Sequence, residues 1–403
     1  MTMRVCYFGT YDVEQSRNNV IIQGLRQNGV EVVECHVSLW RNTADKIRSA
    51  RRGLVSPGLL GRVLGSYLRL IKRYARIGGY DAMVVGYAGH FDLFLARLLT
   101  SFSRKPLVFD ALLSLTETVV EDRGLVPRGS LCARLIYLVD RYSCRLSDLV
   151  LLDTEAHVRH FHEDLGVRPD KLRWVPVGAD AVYCRAALQQ QNVGQIGNLP
   201  HSRGLSPLRE GAGPFRVVYF GQYIPLHGVN YIIEAAKILE EDPDIRFELV
   251  GDGQTFGEAF SLAERLQVKN VAFHHTWLSP EELIAEHIVP ADVCLGAFGD
   301  SPKAQRVVPI KVFVALALGK PVITGDSPAA REMLTHGTDA ILCEMANPQA
   351  LAQAVLLLKN NRPLQEKIAR QGYLSFQNKF SSQVIGATVR SYLTEVINAN
   401  VKR

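Results

Sequence analysis

The stretch "KAQRVVPIKVFVALALGKPVIT" (303–324) sets three cations, Lys303, Arg306 and Lys311, at the head of an apolar run. "VFVALALG" reads as a buried helix ending at Gly319, and "PVIT" as a buried strand. Pro309 suits the first helical turn and Gly319 the C-terminal stop. A helix N-terminus is the positive end of the macrodipole, so cations there are unfavourable by roughly a few tenths of a kcal/mol each. No acidic residue stands nearer in the sequence than Asp300. An anion explains the cluster, most simply a diphosphate that Lys303, Arg306, Val308, Pro309 and Lys311 surround. The plainer reading is a solvated cationic loop.

Two glycine-bearing turns have related chemistry. "VVYFGQYIPLHGVNYIIEAAKIL" (217–239) reads as strand, loop and helix, with Gly221, Gln222, His227 and Gly228 in the loop. A helix N-terminus beyond a parallel strand binds phosphate through N–H groups and the dipole, and glycines let the backbone come close. "FELVGDGQTFG" (247–257), with Gly251, approaches a dinucleotide fingerprint. Its glycines are spaced G-x-G-x-x-x-G, and no acid closes the next strand to hold a ribose. A turn lining a ligand cleft is the better reading. Trp277 stands beside a nucleotide base or half-buries in the core. His274 and His275 are adjacent, but no third ligand follows at metal spacing, so no metal is assigned.

The first half offers further polar residues after strands. Gly9, Thr10 and Tyr11 follow "RVCYF", and Asp110 and Ser114 lie in "FDALLS". These are candidates for orienting acceptor hydroxyls. His90, in "GYAGHFD", opens a helix as either a ligand-facing or a capping histidine.

The elements that must hold these residues alternate strand and helix along the whole chain, which implies parallel sheets covered on both faces. Residues 185–213 lose all periodicity and are rich in Gln, Gly, Ser and Pro, which marks a linker. The expected class is α/β, with two doubly wound Rossmann-like parallel-sheet domains facing across a cleft. Their bounds are 1–184 and 214–375, followed by a C-terminal segment 376–403 that returns to brace the first domain. Ligands of such sheets sit beyond the C-terminal strand ends. "LVPRGS" (125–130) is identical to a common engineered protease site. Its place between natural-looking segments reads as a natural loop.

The chain has 403 residues, 47% apolar and 21% charged, which suits two ordinary globular domains. The seven cysteines are odd in number, scattered and without a CxxC, as expected of reduced thiols in a cytoplasmic protein. No signal peptide or transmembrane run is visible. The net charge of +6 is uneven: residues 1–200 hold 26 Lys plus Arg against 19 Asp plus Glu, the remainder 20 against 21. Between Arg41 and Arg76 ten basic residues face Asp45 alone. A basic amphipathic helix there reads as a peripheral contact with an anionic inner-leaflet surface, or as a solvated face. Nucleic acid is not expected, since no aromatic platform accompanies the charge.

"FGQYIPLHGVNYIIEAAKIL", "FELVGDGQ", "VAFHHTWLSPEELIAEHIVPADVCLGAF" and "ALALGKPVITGDSPAAREML" together resemble the C-terminal domain of retaining glycosyltransferases of family four, which have the GT-B fold. "KLRWVPVGADAVYC" resembles their pre-linker segment. The resemblance covers most of residues 1–375, weakly in the first half. It implies a nucleotide-sugar donor held mainly by the second domain and an acceptor held mainly by the first; a UDP-sugar is the favoured donor (GDP-sugar less so), and a glycan or, given the basic segment, a lipid-linked saccharide the expected acceptor. It also implies transfer with retention and without a metal, and no further cofactor. His90 matches a region where such enzymes place a histidine on the donor sugar. The chain departs from the pattern at four positions. Gln222 replaces an arginine, His227 a lysine, and Arg306 and Val314 two glutamates. The lost cations at Gln222 and His227 are matched by gained cations at Lys303, Arg306 and Lys311 around the diphosphate, with His227 assisting if protonated. Bacterial surface polysaccharide is the expected context. A catalytically silent scaffold homologue and a nucleotide-sugar epimerase of the same fold are the alternatives.

Overall fold

The computed structural model describes residues 2–13, 15–39, 57–185 and 213–401. The basic residues from Arg41 to Arg52 and most of the expected linker lie outside the described residues. The chain divides into two compact units. The first holds Met1–Thr116, Val126–Pro176 and Ser382–Arg403, and the second Glu117–Leu125 and Val177–Ser381.

The first unit is a six-stranded sheet. Its strands are β1 (Arg4–Gly9), β2 (Glu31–His36), β3 (Ala82–Val85), β4 (Leu107–Leu112), β5 (Leu149–Leu152) and β6 (Leu172–Trp174), in the order β2-β1-β3-β4-β5-β6. Every pairing is parallel. β3, β4 and β5 are buried along their whole length, which is why they read as unbroken apolar runs. One face is covered by helix Ser16–Gln27 and the last helix, Ser382–Val401, through Val20, Ile21 and Leu25 against Ile385, Val389 and Leu393. These helices cross backbone to backbone, since a Cβ on Gly24 would stand 2.1 Å from the Ser382 carbonyl oxygen. The other face carries helices Pro57–Tyr74, Asp92–Ser103, Leu131–Leu146 and Glu155–Glu163, packed through Leu70, Leu93, Cys144 and Phe161. Ser130, the end of "LVPRGS", caps Leu131–Leu146 by accepting from the Ala133 N–H, so that loop is part of the fold.

The second unit is another all-parallel sheet, of β7 (Phe215–Phe220), β8 (Ile245–Val250), β9 (Val271–His274), β10 (Val293–Leu295), β11 (Val322–Gly325) and β12 (Ile341–Cys343). Its order is β12-β11-β10-β7-β8-β9. The chain enters at β7, in the middle, builds outward to β8 and β9, and returns to β10 on the other side. The two sheets are the expected doubly wound Rossmann-like pair.

The division between units falls after Pro176 rather than after Cys184. Segment 117–125 packs with the second unit although both of its sequence neighbours belong to the first. The chain rejoins the first unit at Ser382, after the turn Phe376–Phe380.

Candidate functional site

In a doubly wound sheet the loops diverge where the strand order reverses and leave a crevice at the C-terminal strand ends. In the second unit that point lies between β7 and β10. Gly221, directly after β7, has φ +122°, and Gly251, after β8, has φ +131°. A Cβ on Gly251 would lie 2.1 Å from the Gly221 carbonyl oxygen. Gly228, ahead of helix Val229–Ile238, has φ +62°, and a Cβ there would lie 2.5 Å from the Gly299 nitrogen. Only glycine permits this density of backbone at the crevice.

Lys311 comes into this crevice from the other side. It is the second residue of helix Ile310–Ala317, which Pro309 precedes as its cap rather than occupying the first turn. Val308 is buried beside it. Lys311 is itself only 3% exposed. Its ammonium lies 3.7 Å from the Tyr219 ring centroid and 3.3 Å from His227 Nδ1. A Cβ on Gly221 would be 3.5 Å from Nζ. Among the described residues no carboxylate forms an ion pair with it, and burial alone pushes its pKa well down. A buried cation without a counter-charge is costly unless an anion joins it.

His227 departs from the expectation of a protonated helper. Its Nδ1 sits 2.6 Å from the Gln222 carbonyl, which can only accept, so Nδ1 carries the proton. Burial first, and then the Lys311 charge, hold its pKa well below the usual range. It is a neutral imidazole.

Lys303 and Arg306 are also not the free cations expected. Arg306 Nη1 donates to Glu117 Oε1 at 2.5 Å. Lys303 Nζ donates to Thr118 Oγ1 at 2.9 Å and lies 3.8 Å from Asp122 Oδ2. Both acids arrive with segment 117–125, more than 180 positions away, so the local absence of acid was misleading. The same segment brings Arg123, whose Nη2 donates to Gln222 Oε1 at 3.1 Å while Gln254 Nε2 donates to the Arg123 carbonyl at 2.8 Å. Arg123 has no motif around it, and nothing in its local sequence singles it out. Together with Lys303 it adds to the field that keeps His227 neutral. Trp277 lies beyond β9 with 52% of its surface exposed.

A substitution at Gly221 tests this geometry. Gly221→Ala forces φ +122° on a side-chain-bearing residue and sets a methyl group against Lys311 Cε and Nζ. The expected outcome is about 1–3 kcal/mol of lost stability in urea unfolding, together with weakened binding of inorganic pyrophosphate by calorimetry.

In the first unit the expected acceptor residues are engaged internally. Asp110, fully buried, takes a two-pronged ion pair from the buried Arg17, at 2.8–3.1 Å, so it is not available to acceptor hydroxyls. Ser114 is buried and donates to Asp140 Oδ2 at 2.7 Å. The Thr10 N–H donates to Asp92 Oδ2 at 2.6 Å, Gly9 leaves room for that carboxylate, and Tyr11 donates to Glu34. Burial pushes the Asp92 carboxyl up to about 6, against the pull of the Thr10 hydrogen bonds. His90 is 2% exposed, its Nε2 3.2 Å from Asp140 Oδ1. Neither ring nitrogen meets a partner in hydrogen-bonding geometry. It is a buried histidine rather than a surface cap.

The histidine pair separates. His275 stacks on Phe256 with ring centroids 3.7 Å apart, whereas His274 meets His287 and Glu248. One ligand atom from each of these three lies within 4.8 Å of the others, so the third ligand exists in space although not in sequence. Arg216 already donates to Glu248 Oε1 at 2.8 Å, and His287 Nδ1 lies 2.9 Å from Oε2, so the group stands as a compensated ion network.

Residues 207–375 match the model of the family described as glycosyl transferases group 1. An uncharacterized glycosyltransferase of Methanocaldococcus jannaschii is 27% identical over 179 residues, 44% of this chain and 48% of that protein. The lipopolysaccharide core biosynthesis glycosyltransferase LpsD of Rhizobium meliloti is 22% identical over 211 residues, 49% of this chain and 55% of that one. The chain thus spans about half the length of the curated relatives it matches. Among solved structures, the Anabaena protein Alr3699/HepE in complex with UDP superposes with a TM-score of 0.64 at 17% identity, covering 98% of this chain and 100% of the other. These likenesses give the chain the GT-B class of fold, two Rossmann-like domains, with residues 207–375 matching the group 1 glycosyl transferases.

Proposed function

We propose that this chain transfers a sugar from a nucleotide diphosphate sugar, with UDP as the favoured nucleotide, to a growing or lipid-linked glycan. The observation that carries this reading is Lys311: a buried ammonium at the strand-order reversal, without a carboxylate partner among the described residues. The diphosphate is the anion that completes it. The acceptor hydroxyl oxygen attacks the sugar C1, the bond from C1 to the diphosphate breaks, and the hydroxyl proton passes to the departing phosphate. Negative charge grows on that phosphate, and a preorganised cation in a water-poor crevice stabilises it there. Arg123 on Gln222 returns a cation to a loop whose own sequence lacks one. Glu117 brings a carboxylate to Arg306, where the local sequence lacks that too.

The resemblance to family-four enzymes favours retention of anomeric configuration. With Arg306 and Val314 at their positions, neither offers a carboxylate nucleophile. Alr3699/HepE was solved with UDP-glucose as well as UDP, which fits a UDP-sugar donor, and LpsD is named for lipopolysaccharide core synthesis, which fits a surface-glycan context. We place the reaction on the cytoplasmic side of a membrane.

Turnover of labelled UDP-glucose and UDP-N-acetylglucosamine with a bacterial membrane lipid extract tests the proposal. The expected result is label in the extract with stoichiometric UDP release. UDP binding without release from any donor would favour a silent scaffold, and sugar epimers without acceptor would favour an epimerase.

A further inference from the structure

Half of the large apolar side chains exposed among the described residues, ten of twenty, lie on three helices of the first unit. Right-handed crossovers from β2 to β3, β3 to β4 and β4 to β5 put those helices side by side on one face of the sheet. Their inner sides share one core through Leu70, Leu93 and Cys144. Their outer sides carry a second apolar stripe each. On Pro57–Tyr74 it is Leu64, Leu68 and Ile71, exposed by 62%, 56% and 41%. On Asp92–Ser103 it is Phe94, Leu98 and Phe102, the last 81% exposed. On Leu131–Leu146 it is Leu131, Leu135 and Leu138. The three- and four-residue spacings keep each set on one helix side. Single exposed leucines need no explanation, but three adjoining stripes do.

The charges on these helices have one sign outside. Arg62, Arg69, Lys72, Arg134 and Arg145 are exposed. The two carboxylates the helices contain, Asp92 and Asp140, are both buried. An apolar layer studded with cations and free of exposed acid matches the interface of an anionic bilayer, where rings and leucines enter the acyl boundary and the cations meet the headgroups. A second copy of the chain would set the same cations against one another.

We infer that this three-helix face of the first unit docks on the surface of an anionic phospholipid bilayer. The inference deepens the reading of a lipid-linked acceptor by naming where the enzyme meets it. It extends the basic segment seen in sequence to two helices whose charge is unremarkable. The helices lie in the membrane plane; among the described residues none is long and apolar enough to cross a membrane.

Flotation with vesicles of equimolar phosphatidylglycerol and phosphatidylcholine, beside phosphatidylcholine alone, tests this with the full chain. The wild type is expected to float with the anionic vesicles and to retain part of its binding in high salt, because the contact is partly apolar. A Leu98→Asp, Leu135→Asp double variant is expected to bind at least about tenfold more weakly. Both positions are exposed, so its thermal midpoint and UDP titration should match the wild type. No flotation of the wild type, or equal flotation of the variant, would overturn the inference. Concentration-dependent dimerisation that the variant abolishes would overturn it too, in favour of a second copy. Loss of flotation with UDP binding intact removes only the docking face, whereas flotation without UDP binding removes only the transfer reading.

Discussion

Lys311→Met is expected to abolish measurable UDP binding while making the free protein more stable. Methionine keeps the unbranched stem against Tyr219 and removes the ammonium. Losing one partner of a buried charge pair costs about 2–5 kcal/mol, so affinity falls at least roughly thirtyfold and to beyond detection at the upper end. In the free protein the same change removes a buried charge that has no acid to balance it, a gain of about 1–2 kcal/mol. Few substitutions move binding and stability in opposite directions, and a merely structural lysine would not. A pH dependence accompanies the effect. Burial depresses the folded-state pKa of Lys311. The unfolded chain, with a lysine pKa of about 10.4, binds more protons in the interval between the two values. Stability of the free protein therefore rises with pH across that interval, and Lys311→Met flattens the rise. A diphosphate beside the ammonium raises the pKa again, so at pH values between the free and the bound pKa UDP binding takes up a proton, whereas below the free value Lys311 is charged beforehand and none is taken up. Calorimetry in buffers of different ionisation heat reads that uptake directly; identical apparent heats in such buffers would contradict it.

The second large effect is on stability. Arg17→Met should destabilise the first unit by about 3–5 kcal/mol. Arg17 is 2% exposed and Asp110 fully buried. Beyond its ion pair with Asp110, Arg17 Nη1 donates to the Val175 and Pro176 carbonyls at 2.8 and 2.7 Å. Its removal strands a buried carboxylate and two carbonyls at the chain segment where the first unit ends. Urea unfolding should show the loss, and an Arg17→Met, Asp110→Leu double variant should recover most of it, since the cost lies in the orphaned charge. A loss in the single variant below roughly 1 kcal/mol would contradict this account of the pair.

Four strands of the second unit were legible as largely apolar runs closed by a glycine, at Gly221, Gly251, Gly296 and Gly325, and both sheets followed from strand–helix alternation. Gly221, Gly228, Gly251 and Lys311 were legible for a local reason: glycine and charge have meaning beside a strand end or helix start. What the sequence hid is long-range compensation. Glu117, Asp122 and Arg123 lie in a stretch without periodicity, and their pairing with Arg306, Lys303 and Gln222 depends on that stretch leaving its sequence neighbours for the other unit. Asp110 and Ser114 misled for the converse reason. A polar residue at a strand end looks ligand-facing until its buried partner, Arg17 or Asp140, is known. His227 looked like a substitute cation, but burial and the Lys311 charge beside it keep it neutral. His287 escaped notice because its partners, Glu248 and His274, sit on β8 and β9, distant from it in sequence. The two outer apolar stripes at Phe94–Phe102 and Leu131–Leu138 were masked because apolar residues recur on both sides of these helices, so that only the fold separates the inner side from the outer.

The measurement that bears most directly on the central claim is a calorimetric titration of the full chain with UDP, UMP and uridine. A diphosphate held by Lys311 predicts that affinity falls steeply as phosphates are removed, with UDP binding well ahead of UMP and uridine scarcely binding. Uridine binding as tightly as UDP, or no binding of UDP at all, would contradict the placement of the donor diphosphate in this crevice.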